Sequence, residues 1–150
     1  MEINSDFSDL LSLLGRHRVR YLIVGGWAVV YHTEPRYTKD LDIFVDAAFA
    51  NCERLKRALE EFAGPLPQLT VEELADKRRV LMMGRPPVRI DVLKAIDGVR
   101  FETAWKNRTR ASFGGTRVNL IGRRDLIRNK RASGRPRDLL DLDALTGLDR

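Results

Sequence analysis

Three carboxylates carry the chemistry that this sequence indicates most strongly. Asp40 and Asp42 form an Asp-x-Asp pair, and Asp91 lies far downstream. The segments 40–45 and 88–93 read as strands, in which residues two apart point to the same face. Asp40 and Asp42 would therefore project side by side from an apolar strand, where their charges repel unless a cation lies between them. Hard divalent cations such as Mg²⁺ take oxygen ligands and leave positions for phosphate oxygens, so the pattern indicates phosphoryl or nucleotidyl transfer. The alternative for such a pair is a helix cap or a solvent-exposed position.

A glycine pair, Gly25-Gly26, lies upstream of the first carboxylates. It follows a short apolar strand and precedes a predicted helix. Glycine has no Cβ, so a phosphate can approach the backbone closely, and free N–H groups at a helix start favour anions. Turns use Gly-Gly constantly, so the pair is weak evidence alone. Its value lies in its position, since thirteen residues separate Gly26 from Asp40.

Length and composition predict an ordinary globular protein. The chain has 150 residues, 43% of them hydrophobic and 32% charged, which predicts one domain with a real core. No apolar run approaches the roughly 20 residues that span a bilayer, and the amino terminus lacks the pattern of a secretory signal. A lone Cys52 excludes an internal disulfide, and with only His17 and His32 beside it no zinc cluster is expected. We therefore expect a cytoplasmic protein without a membrane partner.

The positive charge is concentrated in one part of the chain. The net charge is +6, yet residues 100–137 contain twelve Lys or Arg against Glu102 and Asp125, a net charge of +10, so the remainder has about −4. A basic block beside an acidic pocket suits a polyanionic ligand, either a nucleotide or a nucleic acid. A solvated basic surface without a partner is the alternative.

Hydrophobic spacing and turn residues predict the order of the elements. The chain should fold as an α+β domain, a mixed sheet flanked by helices, with a core at about 19–121 and a helical tail at about 122–150. The predicted helices are a first helix capped by Ser5 and Asp6 and ended by Gly15, then 27–32 closed by Pro35, 48–62, one or two turns at 101–107, 123–132 and 136–145. The predicted strands are 19–24, 39–45, 79–83, 88–93, 109–113 and 116–121, with the last two forming a hairpin.

The order of these features resembles the nucleotidyltransferase superfamily typified by DNA polymerase β. Its pattern is a hydrophobic residue, Gly and Gly or Ser, then a helix, then Asp-hydrophobic-Asp/Glu-hydrophobic, with a third carboxylate on a later strand. The matching residues are Val24-Gly25-Gly26, Asp40-Leu41-Asp42-Ile43 and Asp91. The segment 25–46, together with the basic segment 130–138, resembles the small bacterial branch that includes abortive-infection toxins.

The resemblance implies a nucleotidyltransferase-like fold and roles for individual residues. Asp40 and Asp42 would bind two Mg²⁺ ions, or Mn²⁺, and Asp91 would bind one of them and help to deprotonate an acceptor hydroxyl. Gly25 and Gly26 would receive the phosphates. Gly26 stands where many relatives have Ser, so only main-chain N–H groups remain there. An NTP would be the substrate.

Basic and polar residues around this pattern are candidates for nucleotide binding. Lys130 shares a helical face with Leu126 and Ile127, and the resemblance places a basic residue near here against the triphosphate. A lysine stem lying over the core is the alternative. Arg135 is a weaker candidate, because Asp138 could pair with it or with Arg137. Arg36 and Thr38 could contact phosphate, although cap or surface roles are the more common ones. Trp27 and Tyr31 could stack on a base or belong to the core.

The sequence leaves the acceptor and the class of function open. The first hypothesis is Mg²⁺-dependent transfer of an NMP to an acceptor hydroxyl with release of pyrophosphate. An RNA end such as tRNA, a protein side chain or a small molecule are the candidate acceptors, and the basic block tilts the choice weakly towards RNA. The second is a binding module for nucleotide or RNA without turnover, or one partner of a toxin–antitoxin pair. The third is an interaction domain that uses its basic face.

Overall fold

The computed structural model describes residues 3–34, 38–85 and 88–147. The helices are α1 (Ser5–Arg16), α2 (Gly25–His32), α3 (Phe49–Ala63), α4 (Val71–Ala75), α5 (Phe101–Lys106), α6 (Arg123–Ser133) and α7 (Pro136–Gly147). The strands are β1 (Tyr21–Val24), β2 (Leu41–Val45), β3 (Leu81–Arg85), β4 (Val88–Leu93), β5 (Thr109–Phe113) and β6 (Thr116–Leu120).

The six strands form one mixed sheet in the order β3-β4-β2-β1-β6-β5. β2 pairs with β1 in antiparallel and with β4 in parallel orientation, and β1 pairs with β6 in parallel orientation. The β3–β4 and β5–β6 pairs are antiparallel and form the two edges. The middle of the sheet is therefore built from β1, β2 and β4, the three strands that carry or adjoin the glycine pair and the carboxylates.

Strands β1 and β2 are apolar because both of their faces are covered. All four residues of β1 are buried, and β2 is buried except at Asp42. The apolar sides of α1 and α3 supply Leu10, Leu14, Leu55 and Leu59 to the same core. On the other face Phe44 meets Phe101 of α5 edge to face, with ring centroids 5.2 Å apart. A nearly continuous apolar strand is what burial on both sides requires, and the single polar residue in β2 therefore stands out.

The observed elements match the sequence-based expectation of an α+β fold with a helical carboxy-terminal end. Helix α1 starts after Asn4, whose side chain accepts from the Asp6 N–H, and runs one residue past Gly15. Helix α2 already begins at Gly25 and ends at His32; Pro35, expected to close it, lies outside the described residues. Helix α4 was not predicted.

Within the described ranges, none of the helices has the length and apolar character needed to cross a bilayer.

Candidate active site

Asp42 and Asp91 occupy facing positions on neighbouring strands. Parallel pairing of β2 with β4 sets Asp42 opposite Asp91, with Leu41 opposite Ile90 and Ile43 opposite Val92. Directly opposed residues on adjacent strands point to the same face of a sheet. The two carboxyl groups are close enough to share a hydrogen bond when one of them is protonated. The sheet thus brings together two acids that are 49 positions apart in the chain.

Asp42 is held in an environment that disfavours its charge. Burial, together with the charges of Asp91 and Asp40, raises the pKa of the Asp42 carboxyl from 3.8 to about 7. Arg89 acts in the opposite direction but does not cancel these effects. A carboxyl group with this pKa is half protonated near neutral pH. The negative charges around Asp42 are therefore not fully compensated by the positive charge of Arg89.

Arg89 supplies the cationic partner of the other two carboxylates. Its Nε and Nη2 donate to the two oxygens of Asp91 at 3.0 and 2.9 Å, and its Nε lies 4.0 Å from Oδ2 of Asp40. These contacts raise the pKa of Arg89, first through the hydrogen bond to Asp91. Arg89 and Asp91 are two apart on β4, and this spacing is the signal by which sequence reasoning could have found Arg89.

The glycine pair lies directly against the carboxylates. Gly25 has a φ of +65°, and a Cβ at this position would overlap with Oδ2 of Asp42. A Cβ at Gly26 would overlap with the hydroxyl of Thr38. The left-handed backbone and the Asp42 carboxylate both favour glycine at position 25, whereas a Cβ at position 26 would have to displace the Thr38 hydroxyl. Thr38 is thereby placed beside the start of α2, while Arg36 lies outside the described residues.

Helix α2 presents its amino terminus at the same place. Val24, opposite Asp42 in the β1–β2 pair, is the residue before the helix, and no side chain caps it. The first N–H groups of a helix have no partner within the helix and carry partial positive charge. An anion held beside Asp42 could receive hydrogen bonds there.

Lys130 is buried, as its helical spacing predicted, and its ammonium group contacts carboxylates of α7. Its Nζ lies 3.0 Å from Oδ1 of Asp138 and 3.2 Å from Oδ2 of Asp141, and only 7% of the residue is exposed. Burial alone would raise the pKa of Asp138, but hydrogen bonds from Ser133, Arg135 and Lys130 lower it well below its usual range. Lys130 thus joins α6 to α7, and its contact with a nucleotide stays a prediction.

Arg135 of the basic tail pairs with Asp138 and is also affected by the charge of Asp42. Its Nε donates to Oδ2 of Asp138 at 2.8 Å, while 75% of its side chain is exposed. The hydrogen bond to Asp138 raises the pKa of Arg135, and the charges of Asp97 and Asp42 add to this effect. The pairing of Asp138 with Arg135 is one of the two alternatives that the sequence left open.

Trp27 of α2 packs against the core, whereas Tyr31 of the same helix is 39% exposed. Trp27 contacts Phe7 and Phe113, with centroids 6.4 and 6.0 Å away, and Tyr31 lies 6.3 Å from Phe113. For Trp27 these contacts favour the core interpretation over base stacking, whereas the exposed ring of Tyr31 keeps both alternatives. Cys52 is buried and free.

Carboxylates that lie close together do not necessarily have the geometry that binds a metal ion. Among the residues that the structure describes, no three or more His, Cys, Asp or Glu side chains are grouped so that they could hold a metal ion. The guanidinium of Arg89 engages both oxygens of Asp91 and lies 4.0 Å from Oδ2 of Asp40, so a cation already lies beside two of the three carboxylates. The chemistry of the donors does fit Mg²⁺, because all of them are carboxylate oxygens and Asp42 has excess negative charge around it.

Comparison with known proteins identifies the architecture. No family model matches the chain, and no curated protein matches it in sequence. Among solved structures, the lincosamide antibiotic adenylyltransferase LnuA with lincomycin bound is similar at a TM-score of 0.56 and 15% identity, covering 98% of both chains. An antigenic nucleotidyltransferase-like protein from Paracoccidioides brasiliensis is similar at a TM-score of 0.56 and 14% identity, covering 98% of this chain and 78% of the other. The chain has a nucleotidyltransferase-like fold.

Proposed function

We propose that the protein is a nucleotidyltransferase that moves an NMP from an NTP to an acceptor hydroxyl. The observation that supports this most directly is the facing pair Asp42 and Asp91 beside the glycine start of α2. The same fold in two nucleotidyltransferase-like structures supports the general reaction.

The residues have separate tasks in this reaction. The acceptor oxygen bonds to the α-phosphorus, the bond from that phosphorus to the bridging oxygen breaks, and pyrophosphate leaves with the electron pair. Asp91 accepts the proton of the acceptor hydroxyl. The N–H groups at Gly25 and Gly26 receive phosphate oxygens, which approach closely because neither residue has a Cβ. Arg135, with Thr38 and Arg36, would add hydrogen bonds to the triphosphate, and Lys130 could reach it only by giving up a carboxylate partner.

Asp40, Asp42 and Asp91 would hold Mg²⁺ or Mn²⁺, which neutralises charge on the reacting phosphates when bound. Binding requires Arg89 to release Asp91, since the guanidinium contacts both oxygens of that carboxylate. Released from Asp91, Arg89 would remain a cation near the phosphates.

A binding module without turnover is the second candidate. It is favoured by the engagement of Asp91 with Arg89 and by the lack, within the described ranges, of a ready group of metal ligands. Such a module would bind a nucleotide at α2 and leave it intact. Pairing with an antitoxin protein is compatible with either candidate.

A labelling experiment separates the two. The protein is incubated with each of four α-³²P-labelled NTPs and Mg²⁺, with total RNA, cell lysate or lincomycin as acceptor. We expect label in one acceptor, and we expect Asp42→Asn to reduce it by at least 100-fold while the circular dichroism spectrum is unchanged. Thermal stabilisation by NTP in both proteins, without label in any acceptor, would instead establish the binding module.

A further inference from the structure

An exposed apolar surface adjoins the third carboxylate on the edge strand. Met82 of β3 pairs with Asp91 of β4, which in turn pairs with Asp42 of β2. Opposed residues point to the same face, so the Met82 side chain lies on the carboxylate face, one strand spacing of about 4.8 Å from Asp91. Met82 is 62% exposed and Val80, two residues earlier, is 50% exposed. We call Val80 and Met82 the edge patch.

Four residues that are paired across neighbouring strands form a row on the carboxylate face of the sheet. Across the sheet it runs from Met82 through Asp91 and Asp42 to Val24, where the glycine start of α2 follows. In the proposed function the phosphates lie at the glycine end. The acceptor must approach the α-phosphorus from the side opposite the leaving pyrophosphate. The acceptor hydroxyl therefore reaches Asp91 from the side of the edge patch.

The cations of the β5–β6 hairpin and of the strand β3 region lie away from Asp91 or are paired with acids. The basic hairpin β5–β6 forms the opposite edge of the sheet, with β4, β2 and β1 between it and β3. Arg79 pairs with Glu73 and Asp76, and Arg78 pairs with Asp76. Arg85 is three residues from Met82 on the same strand, so it points to the other face. The hairpin cations Arg110 and Arg117 thus do not argue for an RNA end at Asp91.

We propose that the acceptor is a small amphiphilic molecule that carries an apolar group within about 5 Å of its reactive hydroxyl. The edge patch binds the apolar group and Asp91 takes the hydroxyl proton as the oxygen bonds to the α-phosphorus and pyrophosphate leaves. This inference rests on the proposed function, for which it names the class of acceptor.

Methionine methyl groups report binding at the edge patch directly. The sequence has three methionines, so a spectrum of protein labelled with [methyl-¹³C]methionine is simple, and Met82→Gln identifies the Met82 signal. Hexyl β-D-glucoside is the probe, glucose the polar control and an RNA hexamer the polyanion. We expect hexyl glucoside to shift the Met82 signal in a saturable way and glucose to leave it unchanged.

Matched variants test whether the patch is responsible. Met82→Gln keeps the length of the side chain and removes its apolar character, and we expect the Kd for hexyl glucoside to rise about tenfold. Phe49→Gln is the control, because Phe49 is 53% exposed but lies beyond the carboxyl end of β2, whereas Asp40 precedes the amino end of that strand. It should leave the Kd unchanged. No shift with hexyl glucoside, or an equal loss in both variants, would overturn the inference.

Transfer assays distinguish failure of this inference from failure of the proposed function. If the wild type and the Met82→Gln variant transfer NMP to RNA or to a peptide at the same rate, the edge patch has no role and the acceptor class is wrong. The proposed function then still stands. If no NTP stabilises the protein and no acceptor is labelled, the proposed function itself fails.

Discussion

At the scale of single residues, the site is defined by how closely Gly25 approaches Asp42. The carboxylate occupies the space that a Cβ of residue 25 would need, and the φ of Gly25 is +65°. A substitution there must strain the backbone and displace the acid at once. Gly115 offers a comparison, since its φ is +83° and nothing lies within 4 Å of an added Cβ.

We therefore expect Gly25→Ala to be more destabilising than Gly115→Ala. In both variants the free energy of unfolding should fall by roughly 1–2 kcal/mol because of the left-handed backbone. In Gly25→Ala it should fall by about 1–3 kcal/mol more because of the overlap with Asp42. Urea unfolding of both variants measures the difference. Equal losses would mean that Asp42 moves aside without cost.

The raised pKa of Asp42 gives the stability of the protein a specific pH dependence. The unfolded carboxyl titrates near 3.8 and the folded one near 7, so the folded state holds its proton more tightly between these values. The free energy of unfolding should fall as pH rises through this window, by up to roughly 4 kcal/mol in total. The contribution is fully present below pH 3.8 and lost above pH 7.

Asp42→Asn tests this dependence because an amide cannot ionise. Between about pH 4.5 and 7.5 the variant should lose less stability than the wild type, and it should be the more stable protein at about pH 8. Denaturant unfolding across the pH range, without divalent ions, gives the comparison. Parallel curves for the two proteins would show that Asp42 has an ordinary pKa.

At the scale of elements, Lys130 determines how α6 and α7 pack. A buried cation between two buried carboxylates leaves uncompensated charge when it is removed. We expect Lys130→Met to destabilise the protein by about 3–5 kcal/mol, whereas Arg131→Met, at an exposed neighbouring position, should change stability by less than about 0.5 kcal/mol.

The same variant distinguishes a packing role from nucleotide binding. The Kd of ATP should be measured by calorimetry at a temperature at which Lys130→Met is still folded. An unchanged Kd assigns Lys130 to packing alone. A Kd that rises tenfold or more would establish the contact with the triphosphate that the sequence resemblance implied.

Most elements could be predicted from local patterns, and the exceptions have physical reasons. Helix α4 has five residues, too few for a repeating apolar spacing, although Thr70 and Glu73 have the spacing of a capping pair and the Thr70 hydroxyl accepts from the Glu73 N–H. The strand order and the register of β2 against β4 depend on contacts between distant segments, which no local pattern contains.

The candidate site was predictable to a similar degree. The carboxylates were predicted because acids are unusual on apolar strands, and the glycines because the pair follows an apolar strand and precedes them by a short helix. Arg89 was missed although its spacing of two residues from Asp91 was visible, and its proximity to Asp40 depends on the pairing of β2 with β4. The acidic partners of Lys130 depend on how α7 folds back on α6.

At the scale of the whole molecule, the sheet separates the acidic site from the exposed basic hairpin. Arg110 and Arg117 are exposed on β5 and β6, at the opposite edge from β3. Retention on a polyanion should therefore depend on these residues through counterion release. Nonspecific binding and NMP transfer should be separable.

We expect Arg110→Ser combined with Arg117→Ser to elute from immobilised heparin at a lower salt concentration and to keep the rate of NMP transfer to a small-molecule acceptor. Arg78→Ser combined with Arg79→Ser changes the net charge equally, but these side chains already pair with acids, so its elution should change less. Equal shifts for both variants would mean that net charge, rather than the hairpin, governs retention.

The parallel pairing of β2 with β4 also has a consequence for synthesis on the ribosome. Asp42 is synthesised with β2, and its facing partner Asp91 is synthesised only after α3, α4 and β3 have been translated. A nascent or prematurely terminated chain that stops before β4 holds Asp42 without its counterpart. Under the proposed function, such fragments should not transfer an NMP, and only chains translated beyond residue 91 should do so.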